Sequence, residues 1–258
     1  MKISTTKRDG LFTLISIISL IIIWKLISLI INSAIIFPSP ESTIVSLYNL
    51  VRTREFFLII LSSLERGIIG FVLSFILGTA IGFAAGFNKI FNKLLEPFLV
   101  IIRSTPVMSI ILIALIWFKA NNVPIFASFL MSFPIICTNV IEGIRNIDIR
   151  LIQMAKIYKI KKWRIIGEIY FPSLVPFLIA AVSTAFGIGW KVVIAAEVLS
   201  QPKYAIGTSL QLSKIYLNID EVFAWTIIAI LLGYIFEKLV RLVEKSTVKW
   251  KRDYSANS

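Results

Sequence analysis

LFTLISIISLIIIWKLISLII, residues 11–31, runs for 21 residues with Lys25 as its one charge. The hydrocarbon core of a bilayer takes about 20 residues of apolar helix to cross, so this run is a membrane span in length and composition. Lys2, Lys7 and Arg8 in front of it resemble the opening of a secretory leader, but the run continues without a small-residue cleavage site. It is expected to stay in the protein as the first span.

Apolar runs of similar length recur at about 67–87, 98–118, 123–142, 172–196 and 222–242. With 57% of the 258 residues hydrophobic and 16% charged, most of the chain has membrane lipid for its solvent. The expected fold is therefore all-α, a polytopic membrane protein of six transmembrane helices forming one domain over residues 1–258. Pro106 lacks an N–H and should kink the third run. Gly78, Gly82 and Gly86, spaced by four, leave one face of the second run bare enough for another helix to approach closely.

The formal net charge is +13, and topology accounts for it. With the N-terminus in the cytoplasm, 18 of the 27 Lys and Arg fall in the inner segments, seven of them between Arg145 and Arg164 and six from Lys238 onward. This bias toward the inside places both termini in the cytoplasm, including a basic tail over 243–258. Nothing then calls for nucleic acid as a partner.

Histidine is absent and Cys137 is the one cysteine, so neither a disulfide within the chain nor a metal site is expected. There is no glycine-rich phosphate loop, paired carboxylate or Ser/His/Asp set, so no catalytic residue is assigned and no bound cofactor is expected. An enzyme acting on lipid or prenyl substrates would need clustered acidic residues, whereas the 14 Asp and Glu are scattered. That reading and a stand-alone channel or secondary transporter are the alternatives.

Two connections carry structure of their own. In the outer segment 32–65, Ser39 can cap a helix with Pro40 at its first position and Ile44, Leu47, Tyr48 and Val51 at helical spacing. In the inner segment 143–171, LIQMAKIYKIKKWRIIGEIYFPSLVP starts at Leu151. Arg150, Gln153, Lys156 and Lys159 recur every three positions among apolar residues, which gives a short amphipathic helix lying parallel to the membrane. From pattern alone it is either a docking helix or a basic loop on anionic headgroups.

The same stretch resembles the EAA loop of bacterial ABC importer permeases, the membrane-spanning subunits of binding-protein-dependent transporters. Gln153, Met154 and Ala155 take its first three positions, Lys159 the glycine, Ile169 the isoleucine, and Phe171-Pro172 the closing pair. FPSPESTIVSLYNL (37–50), SLERGIIGFVLSFILGTAIGFAAG (63–86), Phe133-Pro134 with GIRNID after it, AAEVL (195–199) and VKW (248–250) are similar to the nitrate, sulfonate and taurine group of that family.

The resemblance implies a MetI-like fold in a bacterial inner membrane and a path for a small anionic solute. It also implies a second permease copy, an extracytoplasmic substrate-binding protein, and an ATPase subunit that hydrolyses the ATP. Residues 151–165 would form the coupling helix, with Gln153, Met154, Ala155, Ile157, Tyr158, Lys159, Ile169 and Pro172 as coupling residues and Ala155 against the ATPase. A lysine at position 159 reaches the glycine's left-handed turn at a cost of about 1 kcal/mol.

Charges within spans cost about 3 kcal/mol each unless they are paired or wet. Lys191, beside Trp190, is expected either to line the path or to pair with Glu197, six residues and about 9 Å along the helix. Arg103 is a further candidate for the path, near enough to the inner side to snorkel.

Overall fold

The computed structural model describes residues 5–247. VKW and the rest of the basic tail from 248 lie outside the described residues. The described chain is helical, in the order α1 (Thr5–Ile31), α2 (Pro40–Val51), α3 (Phe56–Phe87), α4 (Lys89–Ser104), α5 (Val107–Trp117), α6 (Val123–Arg145), α7 (Ile149–Ile157), α8 (Lys162–Ile165), α9 (Phe171–Ser200), α10 (Ile206–Ile215) and α11 (Ile219–Thr247). Among these residues, five helices are long and apolar enough to cross a membrane, or six if the bent pair α4 and α5 makes one span.

The bundle is built on α6. On one side α3 lies against it along the glycine face: a Cβ on Gly78 would meet Ile136 Cβ at 3.0 Å, one on Gly82 the Cys137 carbonyl at 2.8 Å, and one on Gly86 Ile144 Cβ at 2.9 Å. Gly70 repeats the pattern against Ser128 Cβ at 3.0 Å. Residue numbers climb together on the two helices, so α3 and α6 run side by side in the same direction. On its other side α6 receives α9 in the opposite sense, since Gly143 faces Leu174 and Phe177 while Ser132 Oγ donates to the Ala185 carbonyl at 3.0 Å. α11 then covers α9, with Phe236 stacked on Phe186 at 3.9 Å and Trp190 Nε1 donating to the Ala229 carbonyl at 2.9 Å.

The third apolar run is not a single kinked span, as expected, but two helices bent by 98°. Thr105, ahead of Pro106, is held extended at φ −75° and ψ 128°, because the proline ring excludes the helical conformation from the residue before it. Leu99 of α4 packs with Phe133 and Cys137, and Ile111 and Ala114 of α5 with Val123 and Ala127. The break therefore falls about midway along α6.

The outer-segment helix forms where its signals stand: Ser39 Oγ accepts from the Ser42 N–H at 3.2 Å and Pro40 opens α2. Its small polar residues Thr43 and Ser46 turn inward, Ser46 onto Asp220, while Ile44, Val45 and Tyr48 face out. That inversion suits a helix lying in lipid. α1 stands against α2 and the start of α11, with Lys25 paired to Glu41 at 2.8 Å and Trp24 stacked on Phe223 at 5.6 Å. The hydrogen bond from Lys25 holds the Glu41 carboxyl down at about 2, so this link lasts into strong acid and is lost only as pH falls through that value.

Candidate coupling surface and translocation path

At one end of the bundle, Asp148 caps α7 by accepting the Arg150 N–H at 2.8 Å. Ala155, expected against an ATPase, is instead fully buried within its own chain, because it sits on the inner side of the turn that follows. The surface that α7 leaves open is Gln153 with Met154, Ile157 and Tyr158, the last two 78% and 74% exposed. Lys159 does take the left-handed conformation, at φ 53°, and the Ile160 N–H closes back onto the Ala155 carbonyl at 2.9 Å. Valine tolerates that region least, so Lys159→Val is expected to loosen the turn by about 1 kcal/mol and glycine to relieve it. Trypsin cutting faster at Lys161 and Lys162 in the valine variant than in the glycine variant checks this.

Ile169 lies in a wide π turn, Ile166–Tyr170, that leads straight into α9 with Pro172 in its first turn. Pro172 has no N–H to give the Glu168 carbonyl, and the local widening spares its ring a clash with that carbonyl. Ile169 and Pro172 are half-buried, so they hold the end of the coupling loop to the bundle.

A cavity of about 690 Å³ opens between α9 and α11. Lys191 lines it, and Ser183, Thr184, Thr226 and Tyr234 put hydroxyls on its wall, with Glu237 toward the α7 end. Lys191 makes no hydrogen bond or ion pair among the described residues, and it ends an exposed stripe on α9 formed by Ala180, Thr184, Gly187 and Ile188. Trp190 also borders the cavity but is buried, its indole N–H spent on α11. Arg103 is exposed at the end of α4, its Nε donating to the Leu99 carbonyl at 3.3 Å.

The expected pair of Lys191 with Glu197 does not form. Glu197 is fully buried about one and two-thirds turns further on, where the helix has rotated it away from Lys191. Its partner is Arg66 of α3, whose Nη1 donates to Glu197 Oε1 at 2.9 Å and to the Tyr204 carbonyl at 2.9 Å, with Nη2 on Asn121 at 3.2 Å. Glu197 Oε2 accepts from Ser63 Oγ at 2.9 Å and from the Gly207 N–H at 3.1 Å, and Ser63 Oγ accepts the Ile206 N–H at 3.0 Å. Glu197 is thus a buried hub and not a wall of the cavity. The signal for this cluster was a charge at the edge of each of two distant apolar runs, Arg66 in SLERG and Glu197 in AAEVL, which needed only to be paired with each other.

Residues 70–249 match the family described as binding-protein-dependent transport system inner membrane component. This chain belongs to that family. The permease is 30% identical to an Escherichia coli protein named as an aliphatic sulfonates transport permease, SsuC, over 92% of this chain and 90% of the relative. It is 28% identical to the Bacillus subtilis protein of the same name, over 91% and 86%. Its fold matches a chain of the inward-facing MetNI methionine ABC transporter with a TM-score of 0.61, at 12% identity, over 76% of this permease and 99% of that chain. The protein is accordingly a transmembrane permease subunit of an ABC importer, an inner membrane component and not an enzyme, which sets aside the lipid-enzyme and stand-alone transporter readings.

Proposed function

We propose that this permease pairs with a second copy of itself to carry a small anion, of the sulfonate or nitrate kind, inward past Lys191. An extracytoplasmic binding protein delivers the solute, and two ATPase subunits hydrolyse ATP and push on α7 through Met154, Ile157 and Tyr158. Both termini are cytoplasmic, in keeping with the basic residues gathered around α7 and the C-terminal end.

The observation that carries the path is the exposed stripe of α9. α1 meets lipid with Leu20 and Ile30, 66% and 82% exposed. The α9 stripe offers Ala180, Thr184, Gly187 and Ile188 and ends on an ammonium that has no partner among the described residues, a charge that is costly against hydrocarbon. An anion named in the relatives, a sulfonate, fits that charge. Arg103, at the break between α4 and α5, is a second cation exposed at that depth.

Lys191→Met is expected to lower uptake at least tenfold with the folded amount and ATPase copurification unchanged, and Lys191→Arg to retain most of it. Uptake by Lys191→Met equal to that of the wild type overturns the path.

A further inference from the structure

We propose that Ser128 and Ser132 of α6 are alternative donors to one acceptor, the Ala185 carbonyl of α9, and that α9 shifts along α6 from one to the other in the transport cycle. Ser74, Ser128 and Ser132 are buried where α6 passes between α3 and α9. Ser74 Oγ donates to the Gly70 and Phe129 carbonyls at 2.8 and 3.0 Å, and Ser132 Oγ to the Ala185 carbonyl at 3.0 Å. Ser128 is 1% exposed, and its Oγ has no partner among the described residues. Enclosing a hydroxyl without an acceptor forfeits its bonds to water and returns nothing. The orphan is accounted for if a second state of the bundle supplies the acceptor.

The surroundings point to which acceptor it is. A Cβ on Gly189 would stand 2.7 Å from Ser132 Oγ and 2.9 Å from Ser128 Oγ, so the two hydroxyls, one turn apart on α6, converge on one point of α9. The Ala185 carbonyl lies beside that point, because it accepts the Gly189 N–H within the helix. α6 and α9 run in opposite senses, so moving α9 toward its Glu197 end carries this carbonyl away from Ser132 and toward Ser128. Less than one helical turn of 5.4 Å is needed. Each level of the contact is bare on one helix. α9 turns Ala181, Ala185 and Gly189 to α6, and nearer the α7 end α6 answers Leu174 and Phe177 with Gly143. α3 is held differently, by Ile136, Val140 and Ile144 seated over Gly78, Gly82 and Gly86. Branched side chains thus key α3 to α6, while hydrogen bonds between small groups set the register of α9, and the switch of donor gives that register two positions.

Neither Lys191 nor the identity of the solute enters this handover, so it and the proposed path can fail separately. In the assembled transporter carrying Cys137→Ser, spin labels are attached at Asn122→Cys and Gln201→Cys, both exposed at the same end of α6 and α9. Their separation is measured at rest and with ATP and vanadate in the presence of the binding protein. It is expected to change by about 2–5 Å, less than one helical turn. A pair at Asn122→Cys and Leu61→Cys, reporting α3 against α6, is expected to stay fixed. With both serines intact or one replaced, the ATP concentration that traps half of the transporter is then compared. Ser132→Ala removes the bond of the resting state and is expected to lower that concentration about fivefold, whereas Ser128→Ala removes the bond of the trapped state and raises it about fivefold. Two serines that merely support the bundle would shift it in the same direction. An unchanged Asn122–Gln201 separation, or ATP requirements that do not part in these directions, overturns the handover.

Discussion

With aspartate in place of Ile157, the permease is expected to leave its ATPase behind on purification. Ile157 stands with Met154 and Tyr158 at the end of α7, all three well exposed, and an apolar group of that size gains about 1.5–3 kcal/mol when a partner covers it. A carboxylate there adds the cost of an unpaired charge in a closing interface, so the combined loss is several kcal/mol and association weakens by about two orders of magnitude or more. Lys156→Asp, on the polar side of the same helix, is the control and should cost far less. Ala155→Asp would not serve, because Ala155 is enclosed by the permease itself and the substitution would damage the turn before any partner met it. Full ATPase recovery with Ile157→Asp would leave α7 as a basic loop on the membrane surface.

Removing the guanidinium from the buried cluster should have the largest effect on folding. Arg66→Met leaves Glu197, fully buried, with a charge answered only by Ser63 and one N–H, and breaking such a pair from one side costs about 3–5 kcal/mol. The variant is expected to lose most of its folded fraction when heated in detergent. Adding Glu197→Met to Arg66→Met should restore much of it, because the second change removes the stranded charge. Adding Lys191→Met to Arg66→Met should restore nothing, since Lys191 is not a member of the cluster.

These variants also mark how far the sequence could be read. The apolar run at 11–31 declared itself as a span because nothing in it depends on the rest of the chain. α3 declared only its part from 67 on: its first three turns hold Ser62, Ser63, Glu65 and Arg66, which look like a loop edge until Arg66 is seen to be neutralised by a residue 131 positions away. Glu197 was matched to Lys191 because helical spacing counts neighbours along one helix and cannot count partners on another. Pro106 announced a bend, but its size was set by packing on α6. α10 was not read at all, since IGTSLQLSKI is short, mixes small polar residues with few apolar ones, and is helical mainly because α9 and α11 close around it. In the coupling loop, the spacing correctly located a left-handed residue at Lys159, whereas the inward turn of Ala155 follows from the path of the chain after it.

The continuity of α9 has a mechanical consequence. It is a single rod of 30 residues, about 45 Å long at 1.5 Å per residue, rooted in the π turn beside the coupling loop and bearing Glu197 near its tip. Under the proposed coupling, a push received at α7 would reach the far end through this rod as leverage. A tilt of about 5° over about 45 Å displaces the tip by about 4 Å, more than bonds of 2.9 to 3.1 Å to Arg66, Ser63 and Gly207 can follow. On that proposal, a small angular stroke at one face of the membrane would be geared into a whole-bond separation at the other.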